Sequence, residues 1–397
     1  MRKFLFLCCL TITSLQALPR VPVYQVVRSN NGFGLAYFTY MARAKERNNF
    51  AFSPYGISAS MAVAYLGSKE KTEKQIADIL FYPLTPNFLG ETFKRFNADF
   101  ATDDALGNAT AMWVEKNLPL KQEFISRAEQ YYENHFFQGD FVLRVDTTRN
   151  EINKWVAKET NKTIPFFMGV SDMPRGLKML LVATMTLNAS WEEPFSPRLT
   201  KTENFFTDNI RQRKVPMMQK EGVFPFYETE DLKVLEIPYA QPEGQKTRLG
   251  FWMVLPKKVE GLKNLEKNLS ITGFEDWRKN AVRKRVKVKI PRFRVIEVLR
   301  AEKYLEEMGL SLPFQEDADF SEMTEDTAFV GRIFQKTFFS IDERGTHSKK
   351  FVSTRPSFQT DLADEEVKEF FVDHPFMFFV LDNSTGQLLF LGHIIQP

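Results

Sequence analysis

Four histidines and two cysteines are the residues from which this chain would have to build a nucleophile, a general base or a soft metal site. His135, His347, His374 and His393 stand far apart, with no paired metal spacing and no G-x-S-x-G elbow beside them. Cys8 and Cys9 adjoin each other in an apolar run near the start. Gly32-Phe33-Gly34 lacks the preceding strand and the third glycine of a dinucleotide fingerprint, so it reads as the start of a helix. The sequence carries no catalytic constellation and calls for no cofactor and no metal. What it offers is a segment on which another protein could do chemistry. Residues 344–372 show no periodicity, and structureless loops beyond about fifteen residues are usually functional or disordered. Strand patterns over 338–343 on one side, and over 375–380 and 387–395 on the other, pin both ends. A tethered, extended, exposed segment suits a protease cleft and can also add itself to a sheet edge as a strand.

The elements that must position this segment follow an α+β pattern, with helices early and strands late. Residues 31–45 read as an amphipathic helix through Phe33, Leu35, Ala36, Phe38 and Met41. A second helix is expected from Ser53-Pro54 to Gly67, because a serine cap accepts from the first free amides and proline is pre-set for the first turn. Ile152, Trp155, Val156 and Glu159 fall at helical spacing within 150–160, capped by Asn150 or Thr148, and their narrow apolar stripe belongs on a surface. Residues 180–188, ending at Trp191, read as a strand buried on both faces. Strands at 234–239, 249–255 and 286–295 follow, the last with a register break at Pro291.

No internal repeat, low-complexity linker or composition break divides the 397 residues, so one large domain is expected. With 43% hydrophobic and 26% charged residues, the composition is that of a soluble globular protein. Arg2-Lys3, the apolar run over 4–10 and the small Ala17 before Leu18-Pro19 read as a secretory signal over 1–17, leaving an extracellular domain of 18–397. Both cysteines fall inside that signal, so packing alone must hold the exported chain. No other apolar run reaches the roughly eighteen residues of a membrane span. A formal net charge of +3, two units of it from Arg2 and Lys3, provides no field favouring nucleic acid.

Separated segments, in order along nearly the whole mature chain, resemble the serpin family. They are Asn49-Phe50-Ala51-Phe52-Ser53-Pro54 with Ile57 and Gly67, Ile152 to Val156 with Thr160-Asn161 and Ile164, and Leu181-Val182 through Trp191-Glu192-Glu193-Pro194-Phe195. Val215-Pro216-Met217-Met218, Ile290-Pro291-Arg292-Phe293, Ala318-Asp319-Phe320-Ser321 and Phe390-Leu391-Gly392 continue the series, and Glu343-x-Gly345-Thr346 and His374-Pro375-Phe376 flank the loop. The resemblance implies a monomeric α+β single domain of about three β-sheets and eight or nine helices, with an exposed reactive loop above the main sheet. It implies an inhibitor rather than an enzyme. A serine or cysteine endopeptidase attacks the loop and forms its acyl-enzyme, and the freed N-terminal part inserts into the sheet and drags the enzyme with it. The alternative is a non-inhibitory binding, carrier or chaperone protein that keeps the fold without the trap.

The same resemblance assigns roles to particular residues. Glu343 and Gly345 form the hinge, and Thr346, Ser348, Lys350 and Val352 face inward on insertion because strand side chains alternate. Lys350 departs from the family's alanine-like run, and an unpaired ammonium in an apolar site costs several kcal/mol or loses its proton. Glu343 and Arg292 match positions that pair at the loop base. Ser53 and Trp191 keep the shutter and sheet-gate positions, whereas a family serine, asparagine and histidine are replaced by Gly56, Ala183 and Gln335. Spacing from Glu343 puts the scissile region near Gln359-Thr360. Phe358 suits a chymotrypsin-like or cathepsin-like pocket, and Arg355 is followed by Pro356. The acidic Asp361, Asp364, Glu365, Glu366 and Glu369 disfavour proteases with acidic rims beyond the cut.

Arg278, Lys279, Arg283, Lys284 and Arg285, continuing into Lys287 and Lys289, read either as a solvated strand face or as a site for a sulfated polysaccharide. No aromatic residue interleaves with them, so nucleic acid is not indicated. Sequons at Asn108, Asn161, Asn268 and Asn383 are candidate glycan acceptors in a eukaryotic secretory route, and Asn188, on the buried strand, is not.

Overall fold

The computed structural model describes residues 23–346 and 366–397. Among them lie nine α-helices and two hydrogen-bonded sheets, the α+β single domain expected from the sequence. One sheet runs His135–Gly139, Leu106–Glu115, Met179–Leu187, Val330–Asp342 and Phe293–Arg300 in spatial order. Its central pair, Met179–Leu187 and Val330–Asp342, is parallel, with Val330 opposite Met179 and Lys336 opposite Thr184. The other sheet reads as two joined by one strand. The 17-residue Gln212–Glu228 pairs with Lys201–Phe206 and Val282–Pro291 along its length and with Leu232–Pro238 at its end.

Aromatic rings weld the two sheets. Phe339 of the loop-bearing strand lies 4.9 Å from Phe378 across the interface, and Phe293 lies 5.3 Å from the same ring. Helix Pro54–Gly67 is buried at every residue, as an all-round apolar helix must be. Its cap is Ser53, whose hydroxyl accepts from the Gly56 amide at 3.0 Å.

Several boundaries differ from the sequence expectation. The first helix already runs at Val23, the first described residue, with Val26 and Val27 buried; Gly32 and Gly34 therefore lie within it, not at its start. Gly34 is needed for close helix packing, since a Cβ there would stand 2.7 Å from Pro54 Cβ. The surface helix begins at Val145, and 286–295 is two strands, Val282–Pro291 and Phe293–Arg300, broken at Arg292. The 344–372 stretch is not wholly without structure. Lys368–Phe371 pairs in parallel with 286–289 because Phe370 is fully buried there.

Candidate functional site

The N-terminal base of the loop is already part of the sheet. Strand Val330–Asp342 ends at Glu343-Arg344, and the chain doubles back as the two-residue strand Gly345–Thr346. Thr346 pairs with Ile341 on one side and Ala189 on the other, and Gly345 with Asp342 and Ser190, all antiparallel. Glycine is required: at φ +153 an added Cβ would stand 2.1 Å from the Ala189 carbonyl oxygen.

Thr346 is 1% exposed, and its hydroxyl lies 2.5 Å from that of Tyr239. Burial pushes the Tyr239 phenol well up, so it stays protonated. Trp191 stacks on Tyr239 at 4.7 Å, and its Nε1 donates to the Asp342 carbonyl at 2.9 Å. Tyr239 carried no signal in the sequence, being more than a hundred positions from its partner.

Arg292 and Glu343 meet at the turn. Arg292 Nε donates to Glu343 Oε1 at 2.9 Å, Nη2 donates to the same oxygen, and the Thr200 hydroxyl adds a bond at 2.5 Å. Burial acts to raise the Glu343 carboxyl, but the bonds from Arg292 and Thr200 outweigh it and hold the group below the usual carboxylate range.

Lower in the sheet, Ser53, Gly56, Ala183 and Gln335 converge. The Gln335 amide spans the backbone of Ser53, accepting from its N–H at 2.8 Å and donating to its carbonyl at 2.9 Å. Gly56 leaves room for that amide, because a Cβ there would lie 2.8 Å from Gln335 Nε2. Ala183 is the register partner of Gln335 on the neighbouring strand. The Ser53 hydroxyl turns to the Met185 sulfur at 3.0 Å.

Comparison with known proteins decides the family. The family described as Serpin (serine protease inhibitor) matches residues 28–397. The chain is a serpin. It is 30% identical to leukocyte elastase inhibitor A of Mus musculus over 386 residues, 94% of this chain and 100% of that protein. It is 28% identical to an uncharacterized serpin-like protein of Methanosarcina acetivorans, across 94% of this chain and 88% of the relative. A crystal structure of maspin superposes with a TM-score of 0.86 at 24% identity, covering 95% of this chain and 100% of maspin.

A helix covers the outer face of the sheet that holds this serpin's central strand pair. Ile152, Trp155 and Val156 of Val145–Glu159 pack on Leu180, Val182 and Phe334 of the central strands. Asn153 fastens the chain that follows the helix, its Oδ1 accepting from the amides of Phe167 and Met168, each at 2.9 Å. Lys336 of the sheet donates to the Phe166 carbonyl.

Ser348, Lys350, Val352, Phe358, Gln359 and Thr360 lie outside the described residues. The basic run divides. Arg278 is partly buried beside Gly386, Arg285 pairs with Glu221 at 2.7 Å, and Lys289 pairs with Glu203 at 2.9 Å. Of the sequons, Asn161 and Asn268 are exposed, whereas the amide of Asn383 donates to Glu236 at 2.5 Å and that of Asn108 to Asn97 at 3.1 Å. The last two are spent inside the fold. His374 is structural, its ring bridging Asp373 and the Pro256 carbonyl.

Proposed function

We propose that this serpin is exported and inhibits a serine or cysteine endopeptidase by taking its cleaved loop into the sheet as an additional strand. The observation that carries this reading is the pairing of Gly345–Thr346 on both edges, which is the first rung of such a strand. Above Lys336 and Thr184 the central strands no longer pair with each other, and the rung occupies the top of that opening. Full insertion exchanges the parallel ladder between them for two antiparallel ladders. It adds backbone hydrogen bonds, in the geometry that is the more stable per residue.

The register also says where the loop would go. Continuing it downward brings Lys350 level with Thr337 and Met185, and Val352 level with Gln335 and Ala183. Thr337, Phe339 and Ile341 face the core, as Thr346 does, so Lys350 would enter the core just above Ser53. That lysine supports a second reading, a non-inhibitory binding, carrier or chaperone serpin whose loop does not insert. A sulfated polysaccharide on the basic strand would compete with Glu221 for Arg285 and with Glu203 for Lys289.

The two readings separate on incubation with chymotrypsin-like and cathepsin-like proteases. A covalent complex surviving denaturing electrophoresis is the expected result, and cleaved loop without complex would favour the second. Export is tested by sequencing the N-terminus of the secreted protein, which should begin at Leu18.

A further inference from the structure

A cavity of roughly 330 Å³ opens at the foot of the central strand pair, lined by Arg175, Gly176, Arg300, Glu302, Gly331 and Arg332 among others. Three guanidiniums face two carboxylates there, Glu302 and Glu306. Glu302 is 4% exposed, and its Oε1 is shared by Arg300 at 3.3 Å and Arg332 at 3.6 Å. Its other oxygen is taken by the Ile333 amide at 3.1 Å. Arg332 Nε is buried without a hydrogen bond, its Nη1 reaches only the adjoining Gly331 carbonyl, and Arg175 is exposed. The cavity thus holds one positive charge more than its carboxylates neutralise, with donors to spare.

Its place in the sheet gives that charge a meaning. A strand that kept the observed pairing of Thr346 with Ala189 would bring Pro356 opposite Met179, at the last rung. Proline has no N–H to continue a ladder, and the following residues, Ser357 to Gln359, would reach the turn at Arg175 and Gly176 that walls the cavity. Resting on the inhibitory reading above, we propose that this cavity is a receptor for the α-carboxylate at the freed end of the inserted strand. Cleavage after Gln359 supplies the group. In molecules that escape the covalent trap, water adds across the acyl bond to the protease: its oxygen goes to the loop carbonyl, one proton returns to the protease's nucleophile, the other passes to solvent, and the loop end leaves as a carboxylate. Arg175 and Arg332 bind it, and Arg300 stays on Glu302. Occupancy would then hold the strand at its far end, opposite the hinge.

The test uses two synthetic peptides copying His347 to Gln359, acetylated at the N-terminus, one ending in a free acid and the other in an amide. Each is titrated into the intact protein and into the Arg175→Ala/Arg332→Gln variant, with binding followed by calorimetry and by thermal shift. A charge-assisted contact predicts that the acid binds the native chain about tenfold more tightly than the amide, and that the ratio falls to about one in the variant. Equal affinity for the two peptides in the native chain would overturn the receptor while leaving the strand-accepting sheet standing. Failure of both peptides to bind would overturn the receptor and the inhibitory reading together.

Discussion

The Tyr239 hydroxyl stands 2.5 Å from that of Thr346, in a site that is all but closed to water. This bond ties the loop hinge to the second sheet, whereas the neighbouring rung ties it only to its own. Tyr239→Phe removes the bond and leaves the Trp191 stack in place. The loss is expected at about 1–2 kcal/mol, which is a roughly 5- to 30-fold rise in hydrogen exchange at the Thr346 amide. Exchange that does not change would mean that the backbone rung alone holds the hinge.

Gly345→Ala tests the rung itself. The added methyl would meet the Ala189 carbonyl oxygen at 2.1 Å, and the left-handed backbone at φ +153 disfavours alanine as well. Backbone cannot yield as a side chain does, so the hinge is expected to leave the sheet. Because Trp191 donates to Asp342 and its amide to the Arg344 carbonyl, its fluorescence should shift, and limited proteolysis of the loop should accelerate. A spectrum matching the native one would show that the strand pair accommodates the methyl.

The Ser53–Gln335 contact makes a quantitative claim about coupling. Gln335→Ala removes two hydrogen bonds to buried backbone groups and should cost about 2–4 kcal/mol. Gly56→Ala pushes a methyl against Gln335 Nε2 and should cost about 1–3 kcal/mol. With the amide already gone, the methyl meets only Ser53 Oγ at 3.4 Å and Cβ at 3.6 Å, ordinary van der Waals contact. The double variant should therefore be more stable than additivity predicts, by at least about 0.5 kcal/mol in denaturant unfolding. Strict additivity would show that the two positions do not share a site.

Much of this site was legible in the sequence, and the reason is local chemistry. Ser53-Pro54 announces a capped helix, and Gly345 marks a flexible hinge. Arg292 and Glu343 were paired through the family resemblance. What stayed hidden depends on contacts between distant segments: Tyr239 on Thr346, Thr200 on Glu343, Asn153 on the chain after its helix. Nothing in the residues around Tyr239 says that a threonine more than a hundred positions away will lie over it. Lys368–Phe371 gives no strand signal in the sequence, because four residues are too few to show a period. The fit of Gly56 to Gln335 is a third case: each is an oddity alone, and only the distance between them makes the pair intelligible.

Glu236 should give the protein a pH-dependent stability. Burial raises its carboxyl to about 7, against an unfolded value of 4.5, even though the Asn383 amide donates to it. The folded chain therefore holds a proton that the unfolded chain has lost between pH 4.5 and 7. Stability is fully present below that window and falls as pH rises through it. Glu236→Gln keeps an acceptor for Asn383 and removes the titration, so it should raise the unfolding free energy measured in urea at pH 8, by up to about 3 kcal/mol. At pH 4.5 the two proteins should unfold together. A variant less stable at pH 8 would mean that nearby Arg278 and Arg283 make the carboxylate worth more than its burial costs.

Lys350 decides between the two functional readings, because a strand inserted in the register of Thr346 would bring it to the core side, level with Thr337 and Met185. Its ammonium would enter beside Ser53, whose hydroxyl already turns to the Met185 sulfur, and no carboxylate among the described residues forms a hydrogen bond or ion pair with Ser53, Met185 or Thr337. Insertion must then either bury an unpaired charge or strip its proton, at a cost of several kcal/mol. Lys350→Ala removes that cost and leaves the hinge rung Gly345–Thr346 unaltered. The variant should insert faster and form at least about tenfold more covalent complex per cleavage event, since 1.4 kcal/mol is a factor of ten. The gain should be largest at neutral pH and shrink as pH approaches the lysine's own titration range, where losing the proton is cheap. The cleaved variant should also unfold at a higher temperature than the cleaved native chain. If loop cleavage leaves both proteins with the heat stability of the intact molecule, neither loop enters the sheet, and the binding or carrier reading takes its place.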